Sequence, residues 1–479
     1  MKLATLLQNT PLETSFPEYD IAFLTSDSRK VTANSLFAAL KGVTFDGRQY
    51  IKEAIQKGAT AILTDTFDDT QSFPQVAFLF SQNPHRDFAK LAANFYQVQP
   101  EHIAAVTGTN GKTSIADFVR QMLNMSGRKA ASLGTLGLIK NNEEPQYAMT
   151  TPDPITIHQD LALLENQGYN YLVMEASSHG ICQYRIGGVS IKVAGFTNLT
   201  RDHLDYHKTM ENYFNAKKLL FTDILVPNGV AVLNADSDTF EDLAQACLDT
   251  HKKVVSYGFQ GKELKLLHIN PLSHGQKLTL SYYGKNVEIS IPLAGEFQAM
   301  NVLCALGIAA ELTGAPFEML SLVEKIHGAK GRLEFVGTTK NGAAVYVDYA
   351  HTPDALENIL KAMRPHTSGK LEVLFGCGGD RDKGKRPLMG KIAHDLADVV
   401  YVTDDNPRSE EPETIRAEIM QACAKGINLP NRAQAIKTAI QNLNNGDVLL
   451  VAGKGHETGQ IIKWITHPFS DHEEIIKNL

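Results

Sequence analysis

Two periodicities alternate along most of this chain. Short apolar runs that suit buried parallel strands end in polar or Gly-rich turns, and segments with apolar residues three and four apart follow. The clearest unit surrounds Ala104–Ser114, AAVTGTNGKTS. There the run Ile103, Ala104, Ala105, Val106 meets a Gly-rich turn, and Ile115, Phe118, Val119, Met122 and Leu123 then recur at helical spacing. Residues 1–98 read as a small α/β domain. AFLTSDSRKVTANSLFAAL predicts strand, polar turn and strand, and YIKEAIQKGATAILTD predicts helix, a stop at Gly58, and strand. A helix at Arg86–Tyr96 leads to a boundary near Pro100. From 99 to 329 the strands of YLVMEASSH, KVAGFTNL, GVAVLN and VVSYG alternate with helices. Residues 264–292 read as a β-rich insert with turns at His274–Gly275 and Gly284, before a long apolar helix holding Asn301. Residues 330–479 carry four strands that end in charged loops: VDYAHTPDAL, GCGGDRDKGKRPLM, TDDNPRSEE and AGKGHETG. The expected fold is α/β in three domains: a small N-terminal domain (1–98), a central P-loop parallel-sheet domain (99–329) and a Rossmann-like C-terminal domain (330–479).

Length supports several domains, since 479 residues exceed what one core holds. A net charge of −7 argues against general nucleic-acid binding. Five scattered cysteines, with no paired spacing, suit a reducing cytosol and offer neither a disulfide nor a metal framework. The opening MKLATLLQNTPLETSFPEYD has neither signal-peptide nor spanning character, and no apolar run is long enough to cross a bilayer. The expectation is a cytoplasmic protein with small-molecule partners, without membrane or nucleic acid, and monomeric.

The chemistry-bearing residues cluster at strand ends, where open parallel sheets carry their ligands. In TGTNGKT, Gly108 and Gly111 let the backbone turn and point N–H groups inward, Lys112 can reach outer phosphates, and the Thr113 hydroxyl can hold Mg²⁺. Val106 stands where the general P-loop string has its first Gly, so this is a narrower variant. Glu175 with Ser177, Ser178 and His179, and the segment Asn198–His207, mix carboxylate, imidazole and hydroxyl groups that suit Mg²⁺ and a phosphorylated substrate. Helix capping at a strand-to-helix turn explains either segment equally well. Ser26–Arg29 reads first as a turn. Lys217 and Lys218 read as a solvated pair on a half-buried helix, and Asn301 as either a satisfied core amide or a nucleotide contact. Arg381 and Arg408 can grip carboxylates as forks, and Glu457 can accept from an ammonium. ATP–Mg²⁺ chemistry beside a carboxylate-holding site points to an ATP-driven amide ligase. A regulatory or transport NTPase is the other class, and it would need a Walker-type Asp where Glu175–His179 stand.

TGTNGKT, MEASSHG, NLTRDHLDYH, YFNAKK, VDYAHTPDAL, GCGGDRDKGKRPLM, DDNPR and GKGHE, in that order, resemble the Mur ligases, and more narrowly their diaminopimelate-adding branch. The resemblance covers essentially the whole chain and implies three domains. It implies that Gly108, Thr109, Asn110, Gly111, Lys112 and Thr113 hold ATP, with Asn301, Arg332 and Asp348 as further adenine-nucleotide contacts. It implies that Ser26, Ser28, Thr150, Thr151, Ser177, Gln183 and Arg185 bind UDP-MurNAc-L-Ala-D-Glu. Thr113, Glu175, His203 and Lys217, the last as a carbamate, would hold Mg²⁺, with Lys112, Lys217 and His203 the catalytic set. Arg381, Asp405, Asn406, Pro407, Arg408, Gly453 and Glu457 would bind meso-diaminopimelate, whose distal carboxylate Arg408 can pair. The implied reaction joins meso-diaminopimelate to the UDP-linked dipeptide through an acyl phosphate. A Mur-type ligase adding L-lysine or another amino acid is the alternative, and folylpolyglutamate synthases share the later parts of the plan.

Overall fold

The computed structural model describes residues 1–42, 45–140, 149–272 and 275–479. His274, half of one expected turn, lies outside the described residues. The chain divides into two compact units, Met1–Ser256 with Gly307–Pro316, and Tyr257–Leu306 with Phe317–Leu479.

The first unit opens on four parallel strands, β1 (Phe23–Thr25), β2 (Ser35–Ala38), β3 (Ala59–Thr64) and β4 (Ala77–Phe80), in that order across the sheet. Gly58, at φ +105, ends the helix Ile51–Gln56 and feeds β3, as the sequence predicts. The helix Pro84–Tyr96 closes this layer, with Asn83 capping it. A second sheet holds β5 (His102–Thr107), β6 (Ala130–Gly134), β7 (Gly137–Ile139), β8 (Tyr171–Glu175), β9 (Ile191–Phe196) and β10 (Val230–Asn234) in the order β10-β9-β5-β8-β6-β7. All neighbours run parallel except the β6–β7 hairpin. β5 is central because Ile103–Val106 is apolar on both faces and fully buried. Its last residues pair with the ends of two neighbours: Val106 lies opposite Glu175 on β8 and Gly195 on β9. Three sequence-distant loops therefore leave the sheet side by side.

β11 (Lys253–Gly258) leads out of the first unit, and its last two residues pair with β12 (Leu264–Pro271) in the second. β12, β13 (Gln276–Tyr282) and β14 (Lys285–Ile291) form the antiparallel insert. The helix Glu296–Thr313 follows and is buried almost all round, as a helix apolar on every face must be. The remaining sheet holds β15 (Glu334–Thr338), β16 (Ala344–Asp348), β17 (Leu371–Phe375), β18 (Val399–Val402), β19 (Gly426–Asn428) and β20 (Val448–Ala452) in the order β15-β16-β20-β17-β18-β19. It is parallel apart from the edge strand β15. The four charged loops leave β16, β17, β18 and β20 at one edge. A hairpin, β21 (Gly459–Ile462) and β22 (Ile465–Pro468), extends the last of them. No helix among the described residues is long and apolar enough to cross a membrane.

Candidate functional site

The P-loop rests on the segment after β9. Gly108 has φ +143, and a Cβ there would come within 1.8 Å of Thr197 Oγ1, so only glycine fits. Thr197 Oγ1 in turn donates to Asn110 O at 2.7 Å. Thr109 N donates to Asn198 O at 2.9 Å, and Asn110 N to Asn198 Oδ1 at 3.0 Å. Gly111, at φ +89, opens the helix Lys112–Met125, whose first N–H groups have no side-chain cap. Lys112 Nζ curls back to Gly108 O and Thr109 O, both at 2.8 Å. Thr113 follows, half-buried. Uncapped helix N–H groups and a lysine on a glycine-built turn form a cradle for an anion.

Lys217 overturns the expectation of a solvated pair. It is 1% exposed, and Lys218 beside it is half-buried. The helix Met210–Leu219 packs against the short helix Ser178–Cys182 and turns Lys217 inward. Its Nζ donates to Gly108 O at 2.8 Å and sits 4.4 Å from the centre of the Tyr213 ring. Burial, and secondarily the Lys112 charge, push this amine well below the usual lysine range. His203 starts the turn Leu204–His207 in the left-handed region at φ +52, with its ring 5.0 Å from His179 and 6.0 Å from Tyr213. Burial first, then the neighbouring imidazoles and Lys217, bring His207 down to about 4.

Glu175 ends β8 with its carboxylate buried. Oε1 accepts from Thr135 N at 2.8 Å and Oε2 from Thr135 Oγ1 at 3.1 Å. Thr135 Oγ1 lies 2.9 Å from Thr150 Oγ1. Thr151 Oγ1 donates to Glu175 O and accepts from Ser177 N, each at 3.0 Å. Arg185 Nη1 donates to Thr151 O at 2.8 Å, and its Nη2 to Gln183 Oε1 at 2.7 Å. Thr150, Thr151, Ser177, Gln183 and Arg185 thus gather in one hydrogen-bonded net around Glu175. Ser177 also accepts from Gly180 N, which realises the capping alternative. Ser26 and Ser28 sit at the end of β1, exposed and buried respectively. Asp27 caps the turn between them, and no described hydrogen bond joins them to the other site residues. Among the described residues, no three His, Cys, Asp or Glu side chains gather as a ready metal site.

In the second unit Asn301 donates to Gln298 Oε1 at 3.1 Å, and Gln298 to Arg332 O at 3.4 Å. That bond uses one donor of the Asn301 amide. Asp348 accepts from Leu333 N at 2.6 Å and Ala350 N at 2.7 Å. Burial raises its carboxyl pKa, against the pull of Arg332 and these two amides. The Arg332 guanidinium lies 5.0 Å from the centre of the Tyr349 ring. After β18, Asp405, Asn406 and Pro407 are buried. Asn406 Nδ2 donates to Glu457 Oε2 at 2.9 Å. A Cβ on Gly453 would meet Asp405 Oδ2 at 2.7 Å. Arg408 adopts φ +52, and its Nη1 donates to Gly379 O at 2.8 Å. The Cβ position of Gly378 is 2.8 Å from that Nη1 and 3.7 Å from Arg381 Cγ. Two arginines thus flank one glycine, with a carboxylate–amide pair on the neighbouring strand ends.

Comparison with known proteins accounts for this arrangement. Residues 20–101 match the Mur ligase family catalytic domain, 106–309 the Mur ligase middle domain, and 331–455 the Mur ligase glutamate ligase domain. The chain belongs to the Mur ligase family. A UDP-N-acetylmuramoyl-L-alanyl-D-glutamate–2,6-diaminopimelate ligase from Agrobacterium fabrum is 47% identical over 457 residues, 95% of this chain and 92% of that one. One of the same description from Caulobacter vibrioides is 47% identical over 96% of this chain and 95% of its own. A solved structure of a ligase so described superposes with TM-score 0.78 at 31% identity, covering 100% of this chain and 99% of that one. A MurF structure from Acinetobacter baumannii, 19% identical with TM-score 0.62 over 94% of each chain, shares the fold. The three-domain Mur ligase plan expected from the sequence is the fold of this chain. Sequence reasoning passed over two polar residues in this Mur ligase framework. Thr135 gave no signal beyond a hydroxyl after Gly134 at a strand end. Lys454 stands inside GKGHE, where it counts among the charges of the loop without a role of its own.

Proposed function

We propose that this chain is an ATP-dependent ligase that adds meso-diaminopimelate to UDP-MurNAc-L-Ala-D-Glu. The glutamyl carboxylate attacks the γ-phosphorus of ATP, giving an acyl phosphate and ADP. A neutral amine of diaminopimelate then adds to the acyl carbon, loses its proton, and expels phosphate as the amide forms. Gly108–Thr113 and the uncapped helix start hold the phosphates, and Lys112 uncurls onto the transferred group to stabilise its charge. Asn301, Arg332 and Asp348 hold the adenine nucleotide. Ser26 and Ser28 take the uridine end, and Thr150, Thr151, Ser177, Gln183 and Arg185 the muramoyl dipeptide.

The residues fit Mg²⁺. Glu175 keeps lone pairs on both oxygens after accepting from Thr135, and Thr113 adds a hydroxyl. Lys217 fits only if modified, because an ammonium repels the ion. Its burial supports modification, since the neutral amine is the form that adds CO₂, and the resulting carbamate is a carboxylate ligand. Thr113, Glu175, His203 and carbamylated Lys217 would then hold Mg²⁺, which offsets phosphate charge when bound.

Arg408 and Arg381 hold the distal carboxylate of the amino acid. Asp405, Asn406, Pro407, Gly453 and Glu457 hold the adjoining ammonium. An ammonium beside a carboxylate keeps its proton, so Glu457 holds the end that does not react. The observation that carries the amino-acid assignment is Arg408 and Arg381 at Gly378, with Glu457 and Asn406 on the neighbouring loops. L-Lysine would leave Arg408 unpaired, and a site built on such a pairing rejects the analogue lacking the group. The chain acts as a monomer. ATP and a nucleotide-linked substrate make the cytoplasm its compartment. The test is phosphate release from ATP with the UDP-dipeptide and either meso-diaminopimelate or L-lysine. Release with diaminopimelate alone is expected. Release with lysine would sink the Arg408 argument, and release that ignores both would sink the ligase.

A further inference from the structure

Lys454 is a fully buried cation, 0% exposed, in the first turn after β20. It touches two residues of the amino-acid site, and all of these contacts lie within the second unit. Nζ donates to Asn406 Oδ1 at 3.1 Å and to Glu457 Oε2 at 3.0 Å. Asn406 Oδ1 also accepts from Ile461 N at 2.9 Å, while its Nδ2 donates to the same Glu457 Oε2 at 2.9 Å. The four groups have one consistent arrangement. Two donors converge on Asn406 Oδ1, so that atom must be the carbonyl oxygen and the amide cannot flip. Two donors also converge on Glu457 Oε2, which leaves Oε1 as the oxygen with acceptor capacity to spare. The Glu457 side chain is one-third exposed, so the carboxylate reaches the surface while its partner cation does not.

We propose that Lys454 is a positioning residue. It locks the Asn406 amide and ties down Glu457 Oε2, so that Glu457 presents Oε1 to the ammonium of the incoming amino acid. This rests on the amino-acid assignment made above. Without the lysine, Glu457 Oε2 keeps only the Asn406 Nδ2 bond and Asn406 Oδ1 only the Ile461 N–H, so each oxygen is held by one contact where it had two. Both losses fall on amino-acid binding, because no described contact of Lys454 reaches the nucleotide-binding residues.

The experiment uses the full chain and compares Lys454→Gln with Glu457→Gln and the double variant. In the phosphate-release assay, Lys454→Gln should raise KM for meso-diaminopimelate by about tenfold to hundredfold, the scale of charge-assisted hydrogen bonds. KM for ATP and for the UDP-dipeptide should stay within about twofold. The double variant should be no worse than about threefold beyond Glu457→Gln, because the lysine acts through that carboxylate. Equal rises in all three KM values, a fall in kcat alone, or fully additive losses would overturn the proposal. A second readout needs no substrate: hydrogen exchange at the Ile461 amide, whose acceptor is Asn406 Oδ1. Lys454→Gln should speed it, and unchanged protection would overturn the proposal. If the native chain ignores diaminopimelate while Ile461 is deprotected, the functional reading fails and the positioning role stands. Where Lys454→Gln does not fold, Lys454→Met/Glu457→Gln removes both charges together, and retained protection at Ile461 would again overturn the proposal.

Discussion

Glu372→Gln should change the pH dependence of stability in a calculable way. Glu372 lies on the interior strand β17 and is 2% exposed, and its Oε2 is buried with no described partner. Burial, reinforced by the Asp447 charge, raises its pKa from 4.5 to about 7, against weaker opposing effects of a Tyr401 hydrogen bond and Lys370. The raised acid holds its proton more tightly folded than unfolded. It makes no difference below the unfolded value, where both states are protonated. Stability is lost as pH rises from 4.5 towards about 7, and the full penalty stands above that. Each pKa unit is worth about 1.4 kcal/mol, so the penalty grows by about 2–3 kcal/mol between about pH 5 and pH 8. Glutamine does not titrate. Urea unfolding of the native and variant chains, followed by circular dichroism across that range, should show the variant gaining by about that difference as pH rises. The buried amide of glutamine shifts both ends equally and leaves the slope intact. A stability difference that does not vary with pH would refute the reasoning.

Gly108→Ala should fold yet lose ATP binding by at least about a hundredfold in calorimetry, because the new Cβ displaces the Thr197 hydroxyl that supports Asn110. Lys217→Ala should abolish ligation with the fold intact, and native mass spectrometry of the unaltered chain under CO₂ should show one adduct that the variant lacks. Arg408→Ala should weaken diaminopimelate binding by about 2–5 kcal/mol, read as KM, with ATP affinity unchanged. Trp464, the sole tryptophan, is 69% exposed at the turn of the β21–β22 hairpin, and β21 is bonded to Asn406 and Arg408. Its fluorescence should change on titration with diaminopimelate and stay flat with ATP alone.

What could be read from the sequence depended on whether neighbours were needed. β5 and its P-loop were legible because a strand buried on both faces is a continuous apolar run, and the turn needs glycine whatever surrounds it. The charged loops after β16, β17, β18 and β20 were legible as one face because parallel sheets bring like ends together. Edge strand β15 was not, since no residue of EFVGT is fully buried and its half-buried face carries Glu334 beside Val336. The burial of Lys217 was invisible because helical periodicity shows which residues share a face, not what packs on it. Motif resemblance reversed that reading. Lys454 and Thr135 were missed for a related reason: each acts by bonding residues far away in sequence, and spacing carries no trace of such a bond.

The hairpin after β20 grips Arg408 by its main chain on both sides. Arg408 N donates to Ile461 O at 3.0 Å, and Lys463 N donates to Arg408 O at 2.7 Å. The position is thus held without help from the side chain it displays. A lineage that changed its amino acid could exchange the residue at 408 and keep the loop. The left-handed φ of +52 restricts which exchanges are cheap: asparagine and glycine fit that backbone, whereas valine or isoleucine would strain it. The scaffold thereby biases the routes by which specificity can drift, favouring small polar replacements over branched apolar ones.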